Sequence, residues 1–388
     1  MNHEQLNKLK TPFVFLDLNH VEENIKRLKD RSGDLKVRLA TKSVRCYAVI
    51  KYILDHPQKI FKGVMCYHPD EALMLKQRGI DDILIAYPYV RESSFINLLK
   101  ELSDQDKIYF MVDSKAQLEV LNELGKKYNK KLKVSIDIDL SIKLPLLYFG
   151  VFRSSIKSFA LAKDVIDSFE MFESLSLKAV MGYEAQFAGL GDNNPYQKIL
   201  NFPIKLLQKF TWPSVMKKRI QIVDYIKSKG IELDLVNGGG TGSLHLTKDD
   251  RSVTELAAGS GIYAPGLFDY YSSFHLKPAM GFGLEITRNP VENIYTLAGG
   301  GYIASGAHSL DKQPKPWDQS QIKMIKDEGF GEVQTPFKSA KKESLGDIKL
   351  FRHAKAGELC ERFNEIYIIK ENEIKEEKTY RGEGYCFL

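Results

Sequence analysis

Short apolar runs recur along the first two thirds of the chain at the spacing of β/α units. They are "KVRLA" (36–40), "GVMCY" (63–67), "DILIAYP" (82–88), "IYFMVD" (108–113), "KVSIDID" (133–139), "LKAVMGY" (177–183), "LDLVNGG" (233–239) and "ELAAG" (255–259). Between them lie helix-like stretches such as "NHVEENIKRLKD", "PDEALMLKQRG" and "DSKAQLEVLNELGKKY". Several open on Asp, Asn or Pro, and "KQRG" closes on a C-cap glycine. Eight strands alternating with helices over about 250 residues is the count of a TIM (β/α)8 barrel. A doubly wound open sheet is the rival, because periodicity alone does not separate closed from open sheets. The barrel is favoured because polar residues gather at the strands' C-terminal ends: Lys42, His68, Tyr87, Asp113, Asp137, Asp139, Tyr183 and Glu184. Active sites of this fold occupy that face.

Beyond residue 265 the helical period disappears. "FHLKPAMGFGLEITRNPVENIYTLAGGGYIASG", "LFRHAKAG" and "NEIYIIKENEIKEEKTYRGEGY" read as strands with Gly and Asn turns, one of them at Glu371–Asn372. The chain is therefore expected to be α/β: a barrel over 11–265, then a mostly β domain over 266–388 with a polar excursion at 311–345.

Composition narrows the partners. Of 388 residues, 43% are hydrophobic and 27% charged, and no apolar run approaches the length of a membrane span. The start, "MNHEQLNKLKTPFVF", lacks a secretory signal's apolar core. Cys46, Cys66, Cys360 and Cys386 form no CxxC pair, which fits reduced thiols and a cytoplasmic location. A net charge of +6 is spread in short patches, "MKKR" and "KSAKKE", without aromatics. That excludes a strong nucleic-acid binder and leaves room for a small anionic ligand.

Two features carry candidate chemistry. "VNGGGTGS" (236–243) sets three glycines between a buried strand and a helix start. Such a loop is either a flexible turn or a phosphate cradle of backbone N–H groups. Lys42, in "RLATKSVRC", follows the first barrel strand, where desolvation and nearby positive charge tune an amine to form a Schiff base with a carbonyl. An amine for an aldehyde together with a phosphate cradle is what pyridoxal phosphate (PLP) requires. A barrel binding a sugar phosphate, with Lys42 structural, is the alternative.

"TPFVFLDLNHVEENI" leading to a lysine after the first strand resembles the fold-type III PLP enzymes, which include alanine racemase, D-threonine aldolase and D-serine dehydratase. "VMGYEAQFAG", "ELAAGSGIYAPGLFD" and "AGGGYIASG" resemble the aldolase/dehydratase branch. The resemblance implies Lys42 as the Schiff-base lysine. It implies that Gly239, Gly240 and Thr241, with Gly259, Ser260 and Gly261, hold the phosphate, and that Tyr263 lies beside it. Tyr183 would contact the cofactor ring or the substrate adduct. Arg153 would face the cofactor's phenolic oxygen or a substrate carboxylate, or else be a surface ion-pairing residue.

Related lyases carry a His-x-Asp or His-x-Cys metal pair in the β domain. In "RHAKAGELCERFNEIYII" His353 matches the histidine, and Lys355 stands at the second ligand's place. An ammonium repels a cation, so a divalent metal is doubtful, and Lys355 is expected to meet a substrate hydroxyl or carboxylate instead. Strand alternation would put 353 and 355 on one face. The histidines at 3, 20, 56, 245, 275 and 308 have no ligand-like spacing. The resemblance implies a homodimeric PLP-dependent lyase, of aldolase or deaminase type, acting on a small, D-configured β-hydroxy amino acid. A racemase, with Tyr263 opposite Lys42, and a non-catalytic PLP-binding protein are the alternatives.

Overall fold

The computed structural model describes residues 3–307, 309–318, 321–371 and 373–388; His308 and Asn372 lie outside the described residues. After β1 (Phe13–Asp17) come eight parallel strands: β2 (Lys36–Ala40), β3 (Phe61–Cys66), β4 (Asp82–Ile85), β5 (Lys107–Val112), β6 (Leu132–Asp137), β7 (Leu175–Gly182), β8 (Leu235–Gly238) and β9 (Glu255–Ala258). β9 returns to pair with β2, Glu255 opposite Lys36 and Ala258 opposite Leu39, so the sheet closes and the open-sheet alternative falls. All eight are runs expected from the sequence. Strands covered on both faces read as near-continuous apolar runs, which is why they were visible.

Polar side chains fill the barrel's floor in a fully paired set. The Arg38 guanidinium lies 2.7 Å from Asp82 Oδ1 and donates to Glu255 Oε2 at 2.9 Å, while Asn237 donates to Glu255 Oε1 at 2.8 Å. Arg38 is completely buried.

The second unit is a sheet of β10 (Met280–Val291), β11 (Ile294–Ala298), β12 (Gln334–Ser339), β13 (Ile348–Arg352), β14 (Glu365–Lys370) and β15 (Glu373–Lys378), with short strands at Lys315–Pro316 and Ile322–Met324. β1 belongs to this sheet. It pairs antiparallel with β10 and parallel with β14. The chain's first strand thus belongs to the second sheet, and the first strand of the barrel begins at Lys36. The reason is packing, since Phe13 and Phe15 are buried in a small cluster with Leu6 and Ile369. The stretch 311–345 is partly woven into the sheet through β12. Glu371 (φ +55°) begins the β14–β15 turn. Among the described residues, no helix is long and apolar enough to cross a membrane.

Candidate active site

The C-terminal ends of the barrel strands surround a cavity of about 1320 Å³. That exceeds the roughly 300–1,000 Å³ of common ligand pockets. Lys42 reaches it from the turn Thr41–Ser43 that follows β2, and its Nζ donates to the Tyr87 hydroxyl at 3.0 Å. Burial alone would raise the Tyr87 pKa, but the Lys42 ammonium and Arg153 bring it below the ordinary phenol value.

The turn is held from three sides. Thr41 Oγ1 donates to Met65 O at 3.1 Å, and Arg45 Nε donates to the Lys42 carbonyl at 2.8 Å. Gly357 (φ +85°) passes so close that a Cβ there would lie 2.1 Å from Lys42 O. Beneath the turn, Glu71 is completely buried and accepts from Tyr67 N at 2.9 Å and from Tyr380 Oη at 3.1 Å. Burial pushes its pKa up to about 7. Glu71, Tyr380 and Gly357 carry no motif, so sequence reasoning passed over them.

Two glycine loops line the same cavity through Gly239, Gly240, Thr241, Gly259 and Ser260. The first is fixed by a buried network behind it. Gly239 N donates to Glu184 Oε2 at 2.9 Å, and Glu184 is bound by Thr247 Oγ1 (3.1 Å) and by Arg219, which also pairs with Asp250 at 2.9 Å. Gly240 N donates to Ser243 Oγ at 3.1 Å, and Arg31 holds the Thr241 and Gly242 carbonyls. A Cβ on Gly240 would lie 2.8 Å from Ala188 Cβ and 3.1 Å from the Tyr183 ring. One on Gly259 would lie 2.4 Å from Ala40 O. Bare backbone is needed here because protein groups approach it closely, in addition to any ligand. The two loops are tied to each other by Gly261 N donating to Thr241 Oγ1 at 3.1 Å. The second loop is tied to the lysine turn by Ser43 and Ser260, whose hydroxyls lie 2.9 Å apart.

Opposite charges with few commitments complete the wall. The Arg153 guanidinium has no carboxylate partner among the described residues and lies 5.7 Å from the Tyr183 ring centre. The Asp113 and Asp139 carboxylates are engaged, the first by Ser155 N (2.8 Å), the second by Ser141 N (2.7 Å) and Tyr148 Oη (2.9 Å). Between them Asp137 faces the cavity. Burial, with the adjacent Asp113 and Asp139, pushes its pKa up to about 8 against the pull of Arg153. Burial likewise raises Tyr183 to about 12, so its hydroxyl stays protonated.

Three expected site residues lie elsewhere. Tyr263 is completely buried and its hydroxyl donates to Val44 O at 3.0 Å, so it packs in the core and does not line the cavity. Gly261 stands behind Thr241 rather than on the cavity wall. His353 is buried beneath a small pocket next to the cavity, while Lys355 lines both. β13 ends at Arg352, yet His353 and Lys355 both line the small pocket, and only Lys355 also reaches the cavity. His68 accepts from Asp70 N at 3.0 Å as the cap of the helix Pro69–Gln77 and does not line the cavity.

Residues 16–264 match the family described as alanine racemase, N-terminal domain. The chain belongs to that family. It is 22% identical over 254 residues to a 3-hydroxy-D-aspartate aldolase of Paracoccus denitrificans (strain Pd 1222), covering 65% of this chain and 60% of the relative. It is 21% identical over 266 residues to a D-threonine aldolase of Arthrobacter sp, covering 68% and 63%. The chain thus spans less than two thirds of the length of these curated relatives. Among solved structures, the D-threonine aldolase from Filomicrobium marinum superposes with a TM-score of 0.78 at 16% identity, covering 98% of this chain and 96% of that one. The D-threo-3-hydroxyaspartate dehydratase from Delftia sp. HT23 gives 0.74 at 16% identity, covering 96% and 98%. An alanine racemase of Clostridium difficile 630 gives 0.61 at 16% identity, covering 96% and 99%.

Proposed function

We propose that this chain is a PLP-dependent lyase that cleaves or dehydrates a small D-configured β-hydroxy amino acid. The observation that carries the reading is the meeting of Lys42 Nζ and two glycine loops in one cavity. The aldolase and dehydratase names of its relatives support the reaction class. The residues fit the cofactor: Lys42 supplies the amine, and the two loops at Gly239–Thr241 and Gly259–Ser260 bring backbone and the Thr241 and Ser260 side chains to the wall of the same cavity. PLP, when bound, supplies an electron sink for bonds at the substrate's Cα.

The chain's own groups then have distinct tasks. Lys42 would hold the cofactor, and its Nζ would move a proton to or from the substrate, with Tyr87 Oη 3.0 Å away as its exchange partner. Arg153 binds an anionic oxygen, the substrate carboxylate or the cofactor's phenolic oxygen, because no protein carboxylate neutralises it. Asp137 holds a proton at neutral pH and donates a hydrogen bond into the cavity. Racemisation needs an acid or base on each face of Cα, and Tyr263 is turned away from the cavity. Incubating purified, PLP-loaded protein with D- and L-threonine, serine, 3-hydroxyaspartate and alanine tests the reading. Aldehyde plus glycine, or ammonia plus an oxo acid, is expected from a D-β-hydroxy amino acid; racemised alanine without either would refute it.

The reading extends to a homodimer. On the helix Lys198–Ser228, Ile199, Phe202, Leu206 and Phe210 are exposed at one-face spacing, just after the cavity residues Asn194 and Gln197. A fully active monomer in sedimentation would refute this part. Four free cysteines support a reducing, cytoplasmic location.

A further inference from the structure

His353 Nδ1 lies 3.1 Å from Met280 O. A carbonyl only accepts, so Nδ1 carries the hydrogen and Nε2 is left with a lone pair. That Nε2 is buried and has no hydrogen-bond partner. A buried imidazole lone pair is a natural metal ligand, and the resemblance implies a metal pair at 353 and 355. The remaining donors do not fit one. The pocket facing His353 is also lined by Lys355, Glu358 and Arg362. Glu358 is already engaged, by Lys355 Nζ at 3.0 Å and Ser305 N at 2.9 Å. The Cys360 thiol is completely buried and pushed far up by that burial, so it offers no thiolate. Among the described residues, no group of three His, Cys, Asp or Glu could hold an ion. One lone pair facing two fixed cations disfavours a divalent ion.

Lys355 is placed to act in its stead. Its Nζ donates to Ser305 Oγ at 2.6 Å and pairs with Glu358, which leaves one of its three N–H donors uncommitted. Lys355, Glu358 and Ser305 all line the large cavity, whereas His353 lines only the small pocket behind them. We propose that the Lys355 ammonium, clamped by Ser305 and Glu358, takes the place of a divalent ion as the electrophile that meets the substrate's β-oxygen, and that Lys355, by its charge and by engaging Glu358, keeps this position from binding metal. The first half rests on the lyase reading; the second does not.

Three measurements test it. Wild-type protein dialysed against zinc or manganese should retain no stoichiometric ion, and chelation should leave turnover within about twofold. Stoichiometric metal lost together with activity would overturn the proposal. Lys355→Met should lower kcat by about 100-fold, as for loss of one oxyanion donor, with KM and the absorbance of bound cofactor little changed. Unchanged kcat would overturn the electrophile role. Lys355→Asp should take up one equivalent of zinc in equilibrium dialysis, a result that requires neither PLP nor turnover. If that variant does not fold, Lys355→Cys serves in its place. Folded protein that takes up no zinc would overturn the claim that Lys355 excludes it. A protein without cofactor absorbance or turnover would overturn the lyase reading and the electrophile role with it, while the zinc result would still decide the rest.

Discussion

The floor and the mouth of the barrel treat charge in opposite ways. On the floor, Arg38 is met by Glu255, Asp82 and two backbone carbonyls, and every strong charge has a protein partner. At the mouth, Lys42 has the Tyr87 hydroxyl, Arg153 has the face of Tyr183, and the Asp137 carboxyl has no hydrogen-bond partner among the described residues. Buried charge is costly unless paired. The floor therefore satisfies its charges internally, as structure, whereas Lys42 and Arg153 at the mouth are exposed to solvent and need no protein counter-charge, which leaves them for what enters. The Glu184–Arg219–Asp250 network belongs with the floor in this respect: each of its charges has an opposite charge beside it, and it acts on the site by fixing Gly239.

The largest expected effect comes from breaking the floor. Arg38→Met strands two carboxylates in the barrel and should cost about 3–5 kcal/mol of stability, read by denaturant unfolding. A loss under 1 kcal/mol would erase the distinction drawn here. Next is Gly240→Ala, whose new Cβ meets Ala188 and the Tyr183 ring. Overpacking should cost about 1–3 kcal/mol, and PLP affinity, read by fluorescence titration, should fall by about tenfold as Tyr183 is displaced. Lost stability with unaltered affinity would make Gly240 a purely structural glycine.

A smaller effect concerns Asp137. Its pKa rises on folding from 3.8 to about 8. The folded state therefore holds a proton that the unfolded state has released between those values, so stability is greatest at low pH and is lost as pH rises through about 8. Glu71, raised to about 7, adds a loss of the same sign. Asp137→Asn should flatten the decline in melting temperature between pH 5 and 8.5 and leave the variant more stable than wild type at the upper end. An unchanged profile would mean that the carboxyl is ionised and solvated.

Much of this was legible from the chain, for reasons that differ residue by residue. The barrel strands announced themselves as apolar runs, and Lys42 and Gly239–Thr241 by their place after strands. β1 was not assignable to the second sheet because its partner is remote: Phe13 pairs with Gly283. Pro203 and Pro213 obscured the continuity of the helix Lys198–Ser228, since proline usually ends a helix. Tyr263 was expected at the site from the resemblance alone, which does not fix which way a side chain leaves a short turn such as Ser260–Tyr263. Glu71 and Tyr380 meet across 309 positions, and no local pattern encodes that hydrogen bond.

The central claim is that Lys42 carries the cofactor covalently. The direct measurement is absorbance of PLP-loaded protein, followed by borohydride reduction and peptide mapping of the label, for wild type and Lys42→Ala. The account predicts a visible band in wild type, one label on Lys42, and loss of band, label and turnover in the variant while the fold is retained. A label on another lysine, or a variant that keeps the band and the reducible adduct, would contradict it.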